Sequence, residues 1–545
     1  MTFMGEEKDA IKIYYNGSII TMNENNLYVN AIAISGEKIV KIGELEQLND
    51  LYDERSVQID LKGKTLLPGF IDSHLHPIIF LFFLFNLDLS EVRSMSQLKE
   101  ILREEVKKRD KDHLILGLNL KEEIFDNPHE RKLPTRWQLD NIVSDYPIFL
   151  LRYDGHIGVA NSKALKLAGI DSGTTFPVGG EIRRNREGEI TGILTENAIS
   201  LILSHVSLPD LEIIMQTAEE AFKYLASKGL TSLHGIFQLE PGGEAGDLGG
   251  FEIPILKNVI EKVLQNLYCL IFTQKPKKIN RIKKAPLDGG KVESKFKVGA
   301  LKLYADGTFG GATAYMFEPF TDQPDENGFM VLDEDILYKK MKQAHKLGFQ
   351  IGIHAIGDKA NRTVVDLYKR LLKEYPRHDH RHRIEHASIL RPDVIKDIAE
   401  LNLIAACQPP FINSEYTWLE KRLGRERCNH TYPMRSIIDA GIVLSAGSDC
   451  PVEDPDVIEG LHALVNRNGF VPEERISMFE ALEAYTINGA YAAFEESIKG
   501  TIEEGKLADL VILDKNPLKI EADKIRDIRV LETIIRGETV YRAKE

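Results

Sequence analysis

The segment F-I-D-S-H-L-H-P at residues 70–77 places two histidines, His74 and His76, two positions apart. In a β-strand, side chains at positions i and i+2 point to the same face of the sheet. Two neutral imidazoles side by side at a strand end can therefore bind one metal ion. An H-x-H pair is also common by chance, so His74 and His76 could be two ordinary surface histidines. The rest of the chain must distinguish between these two interpretations.

Four more polar residues interrupt apolar runs further along the chain. Lys302 lies in G-A-L-K-L-Y-A-D-G-T, His354 in I-G-I-H-A-I-G-D, His386 in H-R-I-E-H-A and Asp449 in L-S-A-G-S-D-C-P-V. A buried ionisable group needs a partner or a metal. Taken singly, each has a structural alternative, such as a hydrogen-bonded core histidine, a helix-capping aspartate or a half-buried ion pair. Together, four histidines, a lysine and an aspartate at strand ends favour a metal site.

The elements that carry these residues alternate between strands and helices. Short β-branched, apolar runs predict eight strands, at Leu66–Ser73, Gly229–Ile236, Leu267–Gln274, Gly299–Ala305, Gln350–Ala355, His382–His386, Ile404–Gln408 and Ile442–Ser448. Amphipathic segments with capping residues or punctuating Gly and Pro predict helices, among them Leu211–Lys228, Asp335–Leu347, Pro392–Leu401 and Ser477–Phe494. This order predicts an α/β fold, a (β/α)₈ TIM barrel, in which the carboxyl ends of the strands carry the chemistry.

Two further parts surround the predicted barrel of residues 67–499. Residues 1–66 and 500–545 contain short alternating strands, and neither end has enough of them for a stable sheet, so they predict one β-sandwich domain built from both ends. The long crossover after the first strand predicts an inserted α/β lobe at about 80–215 that covers the barrel mouth. Its predicted elements are Ser96–Arg109, His113–Leu120, Pro147–Tyr153 and Ser162–Leu167.

Composition narrows the class of protein. Hydrophobic residues make up 43% and charged residues 28% of the 545 residues, which is typical of a folded globular chain, and the net charge of −14 argues against nucleic acid as a partner. The four cysteines are far apart and form no C-x-x-C pair, so they suggest neither a disulfide framework nor a cysteine zinc site. No signal peptide is recognisable, and the apolar run Ile78–Leu87 is about half as long as a membrane span. We expect a cytoplasmic protein with no membrane contact. Exposed aromatic residues at 78–85 would favour a homodimer.

Several strings resemble the amidohydrolase superfamily, and within it the amidohydrolase-3 branch, which includes N-substituted formamide deformylases. They are P-G-F-I-D-S-H-L-H, K-L-Y-A-D-G-T-F-G-G-A-T-A, H-A-I-G-D-K-A, R-I-E-H-A, Q-P-P-F, G-S-D-C-P-V and G-K-L-A-D-L-V-I-L-D. The resemblance covers nearly the whole chain, including the divided β domain and the lobe.

The resemblance implies a divalent metal site, usually zinc, with one or two ions. His74, His76 and Asp449 would hold one ion, and His354 and His386 the other, with Lys302 carboxylated to bridge them. A lysine ammonium has three donors and no acceptor, so only a modified side chain could bind a cation. An unmodified Lys302 would favour a single ion.

The resemblance also implies the reaction. We expect a metal-dependent hydrolase of a small molecule, acting through a metal-activated hydroxide on a non-peptide carbon–nitrogen bond such as an amide, N-acyl or N-formyl bond. Asp449 would serve as general base and then general acid. A deaminase or a hydrolase of a cyclic amide or ester is the alternative, because the fold does not determine the reaction. A catalytically silent binding scaffold is a remote alternative.

Further residues have weaker signals. Candidate substrate contacts are His156 in the lobe, His234 at the end of the second strand, Asp306 after the fourth strand, and Trp418, which with Phe411 and Tyr416 suggests apolar surface. Arg383 and Glu385 flank His386 and are predicted to be a structural pair facing the helices. The charged runs Arg103–Lys111 and Lys275–Lys284 are predicted to be solvated faces.

Overall fold

The structure is a computed structural model that describes residues 10–51, 54–111, 113–153, 155, 157–175, 180–206, 208–240, 249–284 and 295–544. The chain divides into two compact units. One contains Met1–His76, Phe222–Ile236 and Ile260–Glu545, and the other contains Pro77–Ala221 and Phe237–Val259.

Strands and helices are numbered here in chain order within the described residues. The strands are β1 (Ile11–Ile20), β2 (Tyr28–Ser35), β3 (Lys38–Gly43), β4 (Val57–Asp60), β5 (Thr65–Pro68), β6 (Phe70–Leu75), β7 (Leu87–Asp88), β8 (Ile115–Leu120), β9 (Ile148–Arg152), β10 (Ile157–Ala160), β11 (Gly180–Arg184), β12 (Ile190–Glu196), β13 (Leu230–Gln238), β14 (Asn266–Phe272), β15 (Phe296–Tyr304), β16 (Gln350–Ala355), β17 (Arg383–His386), β18 (Ile404–Cys407), β19 (Leu444–Ala446), β20 (Leu510–Leu513), β21 (Val530–Ile535) and β22 (Glu538–Arg542). The α-helices are α1 (Leu45–Leu48), α2 (Pro77–Phe85), α3 (Met95–Glu105), α4 (Arg136–Ile142), α5 (Ser162–Leu167), α6 (Ser200–Leu203), α7 (Leu211–Ser227), α8 (Gly249–Val259), α9 (Ile279–Lys284), α10 (Glu334–Lys346), α11 (Asp358–Glu374), α12 (Pro392–Glu400), α13 (Pro410–Glu415), α14 (Leu419–Leu423), α15 (Arg425–Cys428), α16 (Met434–Asp439), α17 (Val457–Val465), α18 (Met478–Ala484) and α19 (Ile487–Ala492).

Eight strands form the predicted barrel sheet, in the order β6-β13-β14-β15-β16-β17-β18-β19. Two backbone hydrogen bonds link the ends of the first and last strands, from Asp449 N to His74 O (2.7 Å) and from His76 N to Cys450 O (2.8 Å). The parallel sheet with its intervening helices confirms the predicted (β/α)₈ barrel. Helices α7, α10 and α12 match the predicted helices to within one residue at each end.

Two predicted elements are each divided in the structure. The predicted strand Leu66–Ser73 was wrong as a single strand, because its first part belongs to β5 in another sheet and the barrel strand begins at Phe70. The chain passes between the sheets at Gly69, where a Cβ atom would lie 2.2 Å from Thr231 Cγ2. The predicted helix Ser477–Phe494 is two helices, because Thr486 has a non-helical backbone (φ −130°, ψ −95°) and its hydroxyl donates to the carbonyl of Leu482.

Both chain ends contribute to one β domain, as predicted. Its strands are joined in a single sheet of order β22-β21-β20-β5-β1-β2-β3, with β4 beside β1. β20 pairs antiparallel with β5, and β5 pairs parallel with β1, so residues near 66 connect the two ends of the chain. One apolar cluster contains Tyr14, Ile34, Leu510 and Ile534, all 2% exposed or less. This shared core is the reason that neither end needs to form a sheet alone.

The second unit has its own sheet, in the order β11-β12-β10-β9-β8-β7. Two apolar clusters form its core, one around Phe149 and Leu194 and the other around Phe125 and Leu150. The unit contains the segment predicted to be a lobe and a second excursion after β13. Its predicted place over the barrel mouth stays a prediction. Among the helices that the structure describes, none combines the length and apolar character needed to cross a bilayer.

Candidate metal centre

Three predicted metal ligands lie together where the first and last barrel strands end. His76 Nε2 is 3.2 Å and His74 Nε2 is 3.4 Å from Asp449 Oδ1. One ligand atom from each of the three side chains lies within 4.8 Å of the others, and all three residues are buried. The left-handed backbone of Asp449 (φ 61°) lets its N–H bond to strand β6 while its carboxylate faces the imidazoles.

Asp72 holds the two strand ends together. Its carboxylate accepts hydrogen bonds from His74 N (3.0 Å), Ser448 N (3.1 Å) and Ser448 Oγ (2.6 Å). Burial raises the pKa of Asp72 to about 6, although these hydrogen bonds oppose the shift. Gly447 permits the close approach, because a Cβ atom there would lie 2.5 Å from His74 N. Asp72 was missed at the sequence level, although its position two residues before His74 places it on the ligand face of the strand.

Glu385 and Arg383 lie beneath His74, inside the barrel. Glu385 Oε2 is 2.6 Å from His74 Nδ1, and Arg383 Nη2 donates to the same oxygen at 2.9 Å and to Ser73 O at 2.6 Å. Arg383 Nε is 2.7 Å from Glu385 Oε1, and both side chains are fully buried. The prediction that this pair faces the helices was wrong. His386, the last residue of β17, has a left-handed backbone (φ 70°), so strand alternation fails there and its ring shares the interior with Glu385.

The charges of this network determine the protonation of His74. Burial alone would raise the pKa of Glu385, but the Arg383 guanidinium and the His74 hydrogen bond outweigh it and hold that pKa well below its usual range. Because a carboxylate can only accept, His74 Nδ1 carries a proton. Burial and Lys302 oppose a positive charge on His74, but the Asp449 and Glu385 carboxylates outweigh them and raise its pKa. A cation held between His74 and Asp449 would take the place of a proton on Nε2. Burial would likewise raise the pKa of Asp449, but His74 and His76 hold it well below the usual value. Asp449 is therefore an anion.

His386, His354 and Lys302 lie next to the trio. The His386 ring centre is 4.8 Å from that of His74 and 4.3 Å from that of His354. His354 Nε2 donates to Gly307 O at 3.1 Å. Lys302 is fully buried, with Nζ 4.6 Å from the Tyr304 ring centre. Burial lowers the pKa of His386 far below its usual value, and the neighbouring histidines and Lys302 add to this effect.

The arrangement fits a divalent cation. His74 Nε2 and His386 Nδ1 are buried and have no hydrogen-bond partner among the described residues. A buried polar atom without a partner costs about 1–3 kcal/mol, which a bound cation would offset. Two imidazoles and a carboxylate are a common ligand set for zinc. Within the described residues, the group of three with mutually close ligand atoms is His74, His76 and Asp449, and His354 and His386 lie beside it.

The residues predicted to contact substrate do not form one group in the structure. His234 Nδ1 is 3.0 Å from Arg383 Nη1, so its observed contact is with the network beneath the site. Asp306 accepts from three backbone N–H groups, those of Tyr315, Ile356 and Gly357, and burial raises its pKa to about 7. Trp418 is half-buried and directly precedes α14, and His156 lies outside the described residues.

Phe411 is the side chain after the seventh strand that contacts the site. Its ring stacks on His386 with centres 6.2 Å apart and planes at 24°. Phe411 is the second residue of α13 and directly follows Q-P-P, so the segment after the seventh strand places an apolar ring beside the site.

Comparison with known proteins identifies the family of the chain. The sequence model of the amidohydrolase family matches residues 58–541. The chain is 30% identical over 545 residues to the putative amidohydrolase YtcJ of Bacillus subtilis, covering 97% of this chain and 99% of that protein. It is 26% identical over 574 residues to the N-substituted formamide deformylase of Arthrobacter pascens, covering 96% and 97%. An uncharacterized metal-dependent hydrolase from Pyrococcus furiosus superposes with a TM-score of 0.73 at 28% identity, over 94% of this chain and 100% of that one. These matches confirm the predicted family: the chain belongs to the amidohydrolase family and is a hydrolase.

Proposed function

We propose that this hydrolase is metal-dependent and cleaves a non-peptide carbon–nitrogen bond, such as that of an N-formyl or N-acyl amine. The observation that carries the proposal is the approach of two imidazole nitrogens and one carboxylate within 4.8 Å in a buried site. The relative named N-substituted formamide deformylase, matched over nearly its whole length, supports the choice of bond.

The ligand set proposed for the cation is His74, His76 and Asp449, with zinc favoured by two histidines and one carboxylate. A divalent ion held there would supply Lewis acidity toward the substrate carbonyl and would lower the pKa of a water molecule. His354, His386 and Lys302 are proposed as a second subsite. Lys302 can contribute a ligand there only as a carbamate, because its ammonium group has no lone pair.

Asp449 is the proposed proton carrier. It is held anionic by His74 and His76, which is the state a proton acceptor needs. Its carboxylate would take a proton from the attacking water and return it to the nitrogen as the carbon–nitrogen bond breaks. The proton released by water thus leaves with the amine, and the acyl carbon keeps the oxygen.

Glu385 and Arg383 are proposed to position His74. The carboxylate fixes the Nδ1–H tautomer, and the guanidinium keeps the carboxylate charged. Outer carboxylate partners of this kind orient histidine ligands and increase their basicity. Phe411 would present an apolar face to the substrate beside His386.

The test combines metal content with a substrate panel. Protein purified without chelator would be analysed for zinc, iron and manganese per chain and weighed intact without acid, to detect carbon dioxide on Lys302. It would then be assayed on N-formyl amines, N-acyl amines, cyclic amides, amino-pyrimidines and esters. Asp449→Asn should lower kcat by about 10²–10⁴-fold, whereas Asp439→Asn, an exposed carboxylate paired with Arg435, should not. The proposal would be refuted if the purified protein contained no metal and remained inactive on every substrate after zinc, iron or manganese was added.

A further inference from the structure

A basic cavity lies apart from the candidate metal centre and shares no lining residue with it. It has a volume of about 680 Å³ and lies between the segment that follows β14 and helix α10. Six of the nine residues that line it are cationic: Lys275, Lys277, Lys278, Arg281, Lys339 and Lys340. No carboxylate is among the described residues that line it.

Tertiary contacts build this cavity from two distant segments. The 3₁₀ turn Pro276–Lys278 and helix α9 form one wall. Helix α10 forms the other with Ile336, Lys339 and Gln343, whose spacing places them on one helix face. Lys340 Nζ joins the walls by donating to Gln274 Oε1 at 2.6 Å and to the Gln274 carbonyl at 3.2 Å.

Four of the six cations that line this cavity make no ion pair within the part of the chain that the structure describes, namely Lys275, Lys277, Arg281 and Lys339. On the adjoining helix pair, Glu374 is occupied by Arg370 and Lys342. The chain as a whole carries −14, so the cavity is a local exception to its electrostatics. An anion would relieve the repulsion among these cations.

We propose that this cavity binds a small molecule that carries two or more phosphate groups, of the size of a nucleoside diphosphate. Lys and Arg together are the usual partners of phosphate oxygens. The volume lies within the range of small-molecule pockets, roughly 300–1,000 Å³. Ile336, which is 49% exposed, adds an apolar wall for a flat, uncharged part of the ligand. The net negative charge elsewhere opposes an extended polyanion such as nucleic acid. The inference does not depend on the reaction proposed above.

The test is calorimetric titration of the full chain with ADP and, separately, pyrophosphate, at physiological salt. The variants are Lys277→Glu and Lys339→Glu, one from each wall, and the control is Lys519→Glu, which changes the net charge equally at an exposed position outside the cavity. All three side chains are exposed, so we expect folding to be retained, as circular dichroism would verify. The unmodified chain should bind both probes saturably. Each cavity variant should weaken binding by about tenfold or more, and the control by less than twofold.

Four results would overturn the proposal. The first is no binding of either probe. The second is equal weakening in Lys519→Glu, which would indicate a general charge effect. The third is binding that the cavity variants leave intact and that chelation abolishes, which would place the probe at the candidate metal centre. The fourth is tighter binding of a single-stranded oligonucleotide through the same lysines, which would make nucleic acid the occupant.

Discussion

Replacing Glu385 by glutamine removes one negative charge from beneath His74 and keeps the size of the side chain. The carboxylate accepts the His74 Nδ1–H at 2.6 Å and faces Arg383 at 2.7 and 2.9 Å. A glutamine oxygen in the place of Glu385 Oε2 can still accept from His74 Nδ1 and Arg383 Nη2. The glutamine NH₂ group then replaces Oε1 and points at Arg383 Nε, which is itself a donor. The substitution therefore leaves the buried guanidinium without its counter-charge.

Two effects should follow, with separate magnitudes. Loss of a partner that orients a metal-binding histidine typically weakens metal affinity by about 10–100-fold, or about 1.4–2.7 kcal/mol. Breaking a fully buried ion pair costs about 3–5 kcal/mol of stability, because a charge stays buried without compensation. We therefore expect Glu385→Gln to lower both zinc affinity and the free energy of unfolding.

The assay must separate these effects. Zinc affinity of the metal-free chain would be measured by competition with a chromophoric chelator, and stability by urea unfolding without metal. Glu495→Gln is the matched control, because Glu495 is 8% exposed and pairs with Lys499 at 2.7 Å, but contacts none of the proposed ligands. It should lower stability and leave zinc affinity within about twofold.

If the Glu385→Gln variant bound zinc as tightly as the unmodified chain, Glu385 would have no role in positioning His74. That role would also be refuted if Glu495→Gln weakened zinc binding to the same extent, since affinity would then follow general stability. A loss of affinity confined to Glu385→Gln supports its role in positioning His74.

Gly447→Ala should weaken zinc binding and lower kcat/KM by more than about tenfold, because its Cβ would lie 2.5 Å from His74 N and 2.8 Å from Asp72 Oδ1; unchanged kinetics would show that the strand ends can separate without loss. Burial lowers the pKa of His380 to about 4 and that of His382 far below its usual value. The unfolded chain therefore takes up these protons first, and stability should be full above about pH 6.5 and be lost toward pH 4, by about 1.4 kcal/mol per pH unit for each histidine. In urea unfolding from pH 7 to 4, His382→Gln should have a shallower slope, and an equal slope would contradict this assignment. Chelation should lower the thermal midpoint, and zinc at 1,000 times its Kd should restore about 4 kcal/mol; a midpoint insensitive to both would argue against a resident ion.

Much of the fold could be predicted from sequence patterns that extend over only a few residues. Strand alternation predicted that His74 and His76 share a face, and apolar runs separated by capped helices predicted a barrel whose strand ends carry the polar residues. These signals depend on backbone geometry over a few residues, so they can be recognised without knowing the tertiary contacts. The break at Thr486 was not predicted, because the apolar pattern of Ser477–Phe494 continues through it.

Short sequence motifs were enough to predict the family, the barrel and the residues that could bind a metal. The other features of the site depend on contacts between distant segments. Glu385 is 311 residues from His74, and only closure of the barrel brings it to 2.6 Å. The run Lys275–Lys284 was predicted to be a solvated face, and packing against α10 makes Lys275, Lys277, Lys278 and Arg281 part of one wall of a cavity. Such partnerships depend on which elements pack together, because local periodicity specifies the face of a side chain and not the neighbour that the face meets.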